Sequence, residues 1–263
     1  MPLIRSSLDG PVAVLTLSNP PANCYSYEMM RELDEAILQA RFDDAVHAII
    51  LTGEGEKFFC AGADIRMLAA ATPTFKYAFC LHANETLNRL EQTPKLVIAG
   101  INGNCVGGGL EVALAADLRI ARRGAGKVGF PEVNLGVLPG TGGTQRLSRL
   151  VGKAAAIEMM ASGRLFSFEE AGEKGLLNLL LEAPDREAFL RQAVEYAKQF
   201  CPPGKAAHAV GLIKRAVQSG LEAGFHEGLA LERELQQRLF RSEDASEGLN
   251  AYLQKRAPSF RAR

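Results

Sequence analysis

The chain carries no net charge, because its 30 Lys and Arg residues balance its 30 Asp and Glu residues. A protein that binds nucleic acid or a membrane surface would show a basic excess, so this balance argues against both classes. The apolar runs are shorter than the roughly 18 residues that a membrane-spanning helix needs. The N-terminus also lacks the charged start, apolar core and cleavage site of a secretory signal. The composition predicts a soluble protein with no nucleic-acid or membrane partner.

Metal-binding and redox motifs are also missing. The five cysteines are scattered, odd in number and free of CxxC spacing, and the four histidines show no ligand-like spacing. Scattered thiols are typical of a reducing compartment, which predicts a cytoplasmic protein and argues against zinc. Neither GxxxxGK[ST] nor GxSxG occurs. GAGKVG at 124–129 matches GxGxxG, but Phe130 and Pro131 follow it instead of a helix, so the dinucleotide-binding context is absent.

Strand and helix patterns alternate along much of the chain. Apolar segments bounded by turn formers predict strands at 12–17, 48–53, 95–102 and 117–122. Periodic apolar residues predict helices over 27–41, 75–91, 153–162 and 168–174. Beyond the turn at 201–205 the pattern is helical, over 206–219, 221–241 and 243–256. This order predicts an α/β core with largely parallel strands at 1–200, followed by a helical region at 201–263.

Two turns of small residues offer free backbone N–H groups. In NGNCVGGGLEVALAAD (102–117), Gly107, Gly108 and Gly109 open an apolar helix, and FFCAGADI (58–65) ends in a tight turn. The first N–H groups of a helix have no partner within it and carry partial positive charge. Two such donors aimed at one point would hold a carbonyl oxygen that becomes negative during a reaction. The alternative interpretation is that each turn merely ends a strand.

Two glutamates accompany these turns. Glu111 lies three residues after Gly108, so on a helix it returns to the face where those N–H groups point. Glu132 lies in the apolar, Gly- and Pro-bounded segment VGFPEVNLGVLPGTGG, with no nearby lysine or arginine. Dipole complementation by Glu111 and solvation of Glu132 are the simpler interpretations. In one apolar pocket, however, two carboxylates separate in pKa, which would provide one base and one acid.

Taken together, these segments resemble the enoyl-CoA hydratase/isomerase (crotonase) family. The similarity extends over nearly the whole chain, through PPAN near the start, AGADI (61–65), NGNCVGGGLEVALAADLRIA (102–121), FPEVNLGVLPGTGGTQRL (130–147) and SEDASEGLNAYLQKRAPSF (242–260). The resemblance implies an α/β spiral of ββα units with a C-terminal helical region, assembled as trimers that often pair into hexamers. It implies acyl-CoA thioester substrates, with coenzyme A as part of the substrate and no metal or redox cofactor.

The resemblance also implies roles for individual residues. The two oxyanion-hole amides correspond to Ala63 and Gly108, and the acid–base pair of the hydratases corresponds to Glu111 and Glu132. Gly140 matches a position beside the water that this pair holds. Contacts with the CoA thioester are further implied for Lys57, Ala61, Asp64, Ile65, Arg66 and Phe260.

Some positions around the CoA and acyl pockets allow a second interpretation or depart from the family pattern. Lys57 and Arg66 match basic positions around the CoA phosphates and adenosine, although each also fits a solvated charge. Phe260 matches an aromatic that often comes from the neighbouring subunit. Phe130 and the segment 24–27 depart from the usual residues near the acyl pocket and the CoA entrance, which leaves the acyl group open.

The sequence therefore predicts an enoyl-CoA hydratase. A double-bond isomerase, or another enzyme that works through the same enolate such as a decarboxylase, is the nearest alternative, because some family members keep only one glutamate. A non-catalytic RNA-binding relative is a remote alternative, and the zero net charge disfavours it because phosphate contacts need a basic surface.

Overall fold

Two sheets of mainly parallel strands organise the chain in the computed structural model, which describes residues 1–262. The larger sheet has the strand order β1 (Ile4–Asp9), β2 (Val12–Leu17), β3 (Ala48–Gly53), β5 (Leu96–Ile101), β7 (Leu118–Arg122) and β10 (Leu179–Leu181). The smaller sheet has the order β4 (Phe58–Cys60), β6 (Asn104–Val106), β8 (Lys127–Gly129) and β9 (Leu165–Ser167). Only the β1–β2 and β8–β9 pairs are antiparallel among these strands. The predicted α/β class with largely parallel pairing is confirmed.

Helices connect and cover the strands. They are α1 (Tyr27–Phe42), α2 (Ile65–Ala70), α3 (Pro73–Glu91), α4 (Gly108–Leu114), α5 (Gly143–Val151), α6 (Lys153–Ala161), α7 (Phe168–Glu173), α8 (Arg186–Lys198), α9 (Ala207–Leu221), α10 (Phe225–Phe240) and α11 (Glu243–Leu253). The predicted helices are present, but the break near residue 220 lies later than expected, because α9 continues to Leu221 and α10 begins only at Phe225. The sequence patterns did not indicate β1, β10, α2, α5, α8 or the three-residue strands of the smaller sheet.

Strands β2, β3 and β5 of the larger sheet are buried along their whole length, which explains why they read as continuous apolar runs, whereas the edge strand β1 is mostly exposed. Side chains alternate along each strand, so that Val14 and Ile50 belong to the cluster formed with Phe189 of α8. Their neighbours Leu15 and Leu51 face the other side and join the main core with α1.

The chain passes repeatedly from the larger sheet to the smaller one. β3 leads to β4, β5 leads to β6 and β7 leads to β8. In the smaller sheet β4, β6 and β8 are parallel neighbours, so the segments that follow them emerge at one edge. Those segments carry the turn at 61–64, the glycines 107–109 and Glu132. The topology therefore brings together three stretches that are distant in sequence.

The C-terminal helices are tied to this core by buried contacts of α9. Lys214 forms an ion pair with Asp117, with 2.8 Å between Nζ and Oδ2, and both side chains are largely buried. Gly211 lies so close to the Pro94 carbonyl that a Cβ at this position would collide with it.

Among residues 1–262, no helix has both the length and the apolar character needed to cross a bilayer. All five cysteines lie in that range and carry free thiols.

Candidate active site

The turn after β4 and the start of α4 lie against each other. Gly62 has a φ of +93°, and a Cβ built on it would lie 3.0 Å from the Gly108 nitrogen. Ala63 pairs with Tyr25 in an isolated parallel bridge, and the Tyr25 hydroxyl lies beside the Gly108 Cα. The backbones of Ala63 and Gly108, the two amides that the resemblance implies for an oxyanion hole, are therefore neighbours.

Both amides are available for a ligand. Within residues 1–262, neither the Ala63 N–H nor the Gly108 N–H donates a hydrogen bond. Gly108 is the first residue of α4, and Gly107 before it has a φ of +57°. A helix N-terminus adds partial positive charge to an N–H group of this kind. The two N–H groups can donate hydrogen bonds to one carbonyl oxygen and so stabilise negative charge that develops on it.

The Glu111 carboxylate is buried and held by the loop before α5. Its Oε1 accepts the N–H groups of Thr141 and Gly143, each at 2.7 Å. Its Oε2 accepts the Thr141 hydroxyl. Burial raises the pKa of Glu111, and the hydrogen bonds from Thr141 and Gly143 oppose that rise because they stabilise the charged form. Glu111 is thus a buried carboxylate whose negative charge is stabilised by three hydrogen bonds.

Glu132 has almost the opposite surroundings. It begins a short 3₁₀ helix, Glu132–Leu135, and its Oε1 lies 2.7 Å from the position that a Cβ on Gly107 would take. Its Oε2 is buried and has no hydrogen-bond partner among the described residues. Burial, and secondarily the charge of Glu111, raises the pKa of Glu132 to about 7. The site therefore combines a carboxylate that accepts three hydrogen bonds with a carboxyl group whose pKa of about 7 lets it hold a proton near neutral pH.

Tyr25 lies at the centre of this site. The resemblance associated segment 24–27 with the CoA entrance, whereas the Tyr25 side chain is buried, with its hydroxyl 3.3 Å from Thr141 Oγ1. A Cβ at Gly108 would collide with the Tyr25 hydroxyl and would lie 2.8 Å from two ring carbons. Sequence reasoning missed both Tyr25 and Thr141, because their hydrogen bonds join segments that are far apart in the chain.

The loop that holds Glu111 is itself anchored to α3. The carbonyl of Gly140 accepts Asn84 Nδ2 at 3.2 Å. Arg146 donates to the Thr141 carbonyl at 3.3 Å and forms an ion pair with Glu91 at 2.8 Å. Gly140, which the resemblance implies beside the catalytic water, thus directly precedes the residue that donates to Glu111.

The residues implied for CoA binding occupy different surroundings. Asp64 caps α2 by accepting the Arg66 N–H at 2.8 Å, and the side chains of Lys57, Ile65 and Arg66 are exposed beside the turn. Ala61 is half-buried.

Phe260 lies on the C-terminal region of its own chain. Its ring packs against Gly248 of α11, and its N–H donates to the Pro203 carbonyl at 3.1 Å.

The structure brings five of the residues that the resemblance implies into one site, with the turn before α2 at its border. They are Ala63, Gly108, Glu111, Glu132 and Gly140.

Comparison with known proteins gives a consistent pattern. The family model described as enoyl-CoA hydratase/isomerase matches residues 8–263. A probable enoyl-CoA hydratase of Bacillus subtilis is 38% identical over 262 residues, which cover 99% of both chains. A short-chain-enoyl-CoA hydratase of Clostridium acetobutylicum is 38% identical, covering 94% of this chain and 93% of that protein. An enoyl-CoA hydratase structure from Geobacillus kaustophilus superimposes with a TM-score of 0.95 at 41% identity, covering 100% of this chain and 98% of that one. The fold is thus the crotonase-like α/β fold of these hydratase structures.

Proposed function

The chain belongs to the enoyl-CoA hydratase/isomerase family, and from this membership we propose that it is an enoyl-CoA hydratase, which adds water across a trans-2-enoyl-CoA thioester. The observation that carries the proposal is the presence of two glutamates, Glu111 and Glu132, with contrasting hydrogen bonding beside two free amides. An isomerase needs one residue to move a proton between carbons, whereas hydration needs one group for the water and another for C2.

The first part of the proposed mechanism is electrostatic. The N–H groups of Ala63 and Gly108 donate to the thioester carbonyl oxygen, which becomes an enolate oxygen as water attacks C3. A lost donor of this type typically costs about 10²–10³ in rate. The proximity of the turn at Gly62 to the Gly108 nitrogen supports this arrangement, because Ala63 directly follows Gly62.

Proton transfer completes the reaction. Glu111 takes a proton from the water as its oxygen bonds to C3, and Glu132 donates its proton to C2 to give the 3-hydroxyacyl thioester. The hydrogen bonds that stabilise the charged form of Glu111 support its role as the base. The pKa of about 7 supports Glu132 as the acid. None of these steps uses a metal or a redox cofactor.

The family membership also suggests how the substrate is held and where the enzyme acts. We propose that Lys57, Ala61, Asp64, Ile65, Arg66 and Phe260 contact the CoA thioester. The protein is proposed to be a cytoplasmic homotrimer or dimer of trimers, since its cysteines are scattered and α9 exposes apolar side chains.

The test separates hydration from isomerisation. Hydration is followed by loss of enoyl-thioester absorbance over a panel of acyl-CoAs, and deuterium incorporation at C2 is measured by NMR. We expect Glu111→Gln to hydrate about 10²–10⁴ times more slowly, because glutamine cannot take a proton from water. This variant retains the two amides and Glu132, so slow exchange at C2 continues. We expect Glu132→Gln to lose both activities, because no group then serves C2.

Glu187→Gln is the matched control, since Glu187 is exposed on α8 and the same change there should leave both rates unaltered. If Glu111→Gln hydrates at close to the wild-type rate, the hydratase proposal is wrong and an isomerase that works through Glu132 replaces it.

A further inference from the structure

We propose that Tyr25 is a positioning residue, which turns the Thr141 hydroxyl toward Glu111 and thereby keeps this carboxylate in the form that accepts a proton. The inference rests on the proposed function, in which Glu111 is the base. The chain of contacts runs from the Tyr25 hydroxyl, 3.3 Å from Thr141 Oγ1, to Glu111 Oε2.

The direction of the hydrogen bonds follows from counting protons. A threonine hydroxyl has one hydrogen to donate and can also accept. In Thr141 this hydrogen is directed to the Glu111 carboxylate, which as an anion can only accept. Tyr25 must therefore be the donor in its contact with Thr141. Burial, and next the charge of Glu111, raises the pKa of Tyr25 well above its ordinary value, so the phenol keeps the hydrogen that it donates.

Tyr25 is held rigidly enough to act in this way. Its N–H donates to the Gly62 carbonyl at 2.9 Å, and its own carbonyl accepts the Asp64 N–H at 3.0 Å. Its ring lies 5.9 Å from the ring of Phe79, and its hydroxyl lies beside Gly108. Tyr25 thus links the turn at 61–64 to Glu111, the proposed base. Its side chain cannot rotate away without breaking several of these contacts.

Within residues 1–262, four other titratable or charged groups face the hydrogen-bonded residues Tyr25, Thr141 and Glu111. Cys80 of α3 and Cys60 of β4 face Tyr25, and burial raises the pKa of each thiol, that of Cys60 to about 12. Arg146 of α5 favours the charged form of Glu111 but is itself paired with Glu91. Glu132 is the remaining titratable group, and burial, with a smaller contribution from the charge of Glu111, raises its pKa to about 7. Tyr25 and Thr141 are thus hydrogen-bonded toward Glu111, whereas Glu132 Oε2 accepts no hydrogen bond from either of them.

The experiment is a pH profile of kcat/KM for the wild type, Tyr25→Phe, Thr141→Val and the double variant. A base that must be charged sets the acidic limb, and an acid that must be protonated sets the basic limb. Without the phenol, the Thr141 hydroxyl is free to turn away from Glu111. We expect the acidic limb of Tyr25→Phe to move upward by about half a pH unit, the size of one modest hydrogen bond. The basic limb should stay in place, and Tyr25→Phe should cause no further shift in the Thr141→Val background.

Two further variants sharpen this result. Tyr196→Phe removes a phenol from α8, where Tyr196 packs on Phe200, and should leave both limbs unchanged. Should Tyr25→Phe fail to fold, 3-fluorotyrosine at position 25 keeps the shape and donates more strongly, so the acidic limb should move downward. An unchanged acidic limb in the folded variants, an equal shift in the Thr141→Val background, or a joint shift of both limbs would each overturn the inference.

Failure of the hydratase proposal is recognised separately. If the wild type hydrates no enoyl-CoA, the ionisation of Glu111 is titrated in the free enzyme by ¹³C NMR of the carboxyl carbons, with Glu111→Gln for assignment. An upward shift of the Glu111 midpoint in Tyr25→Phe still supports the inference in that case, and an unchanged midpoint rejects it.

Discussion

At the scale of single residues, Glu111 and Glu132 differ in their hydrogen bonds and not in their chemical type. The Glu111 carboxylate accepts two backbone N–H groups and a hydroxyl, whereas Glu132 Oε2 has no partner among the described residues. A buried carboxyl with few donors favours its neutral form, and one with several donors is better able to hold its negative charge. The proposed roles of base and acid can therefore come from two side chains of the same chemical type in different surroundings.

The raised pKa of Glu132 has a consequence for stability. The folded protein binds this proton more tightly than the unfolded chain, because burial raises the pKa from 4.5 to about 7. The stabilisation is complete below about pH 4.5 and is lost as the pH rises through 7. Glu132→Gln does not titrate, so we expect its free energy of unfolding, relative to wild type, to increase by about 1–3 kcal/mol between pH 4.5 and pH 8.

Urea denaturation at pH 5 and pH 8, at one protein concentration, measures this difference. Glu187→Gln on the surface of α8 provides the baseline for an exposed glutamate. A difference between Glu132→Gln and wild type that is the same at both pH values would contradict the raised pKa.

Sequence reasoning reached the glutamates but not the residues that control them. Glu111 was identifiable because it lies within one helical turn of the glycines, and Glu132 because its apolar segment has no basic partner. The Tyr25–Thr141 hydrogen bond, in contrast, spans 116 positions. No local spacing encodes a contact of that kind, so only the folded chain reveals it.

At the scale of elements, the loop between the 3₁₀ helix and α5 determines how firmly Glu111 is held. Arg146 anchors this loop through the Thr141 carbonyl and through Glu91 of α3. We expect Arg146→Met to lower kcat at least about tenfold with little change in KM, because a small displacement of the donors near reacting atoms slows catalysis strongly. Steady-state kinetics and thermal unfolding together measure the effect.

Arg149→Met is the matched control for that variant. Arg149 lies one turn later in α5 and pairs with Glu222, but both side chains of this pair are more than half exposed. An exposed ion pair contributes little, so its loss should leave kcat near the wild-type value. Equal effects of the two substitutions would show that α5, and not the anchored loop, is what matters.

The elements differ in how well their sequence predicts them. Strands β2, β3 and β5 were predictable because burial along their whole length produces continuous apolar runs. The strands of the smaller sheet have only three residues each, which is too short for any periodic signal. These short strands nevertheless align the three segments of the site. The elements that position the site are therefore the ones that the sequence predicts least well.

At the scale of the whole molecule, α9 divides its apolar residues between two surroundings. Leu212 is buried against the core, whereas Ile213, Val217 and Leu221 are 61%, 56% and 78% exposed. Exposed apolar side chains in a contiguous stretch are typical of a surface that another protein covers. The proposed oligomer is the simplest explanation for them.

We expect the double substitution Ile213→Asp and Val217→Asp to shift the protein toward monomers, since two charges would have to be buried in the interface. Sedimentation velocity measures the distribution of species, and activity is followed in parallel. Leu8→Asp is the control, because Leu8 is 60% exposed on β1 at the edge of the larger sheet. An unchanged distribution in the double variant would place the interface elsewhere or show the chain to be monomeric.

The contact between Tyr25 and Gly108 constrains the order in which this site can change during evolution. Any side chain at position 108 would occupy space that the tyrosine already fills. A substitution of Gly108 is therefore harmful while Tyr25 is present, and a smaller residue at position 25 is needed first to relieve this collision. Substitution of Gly108 before Tyr25 is sterically blocked, so the tyrosine makes the glycine at position 108 obligatory. Descendants of this protein can leave that state only by giving up the phenol first.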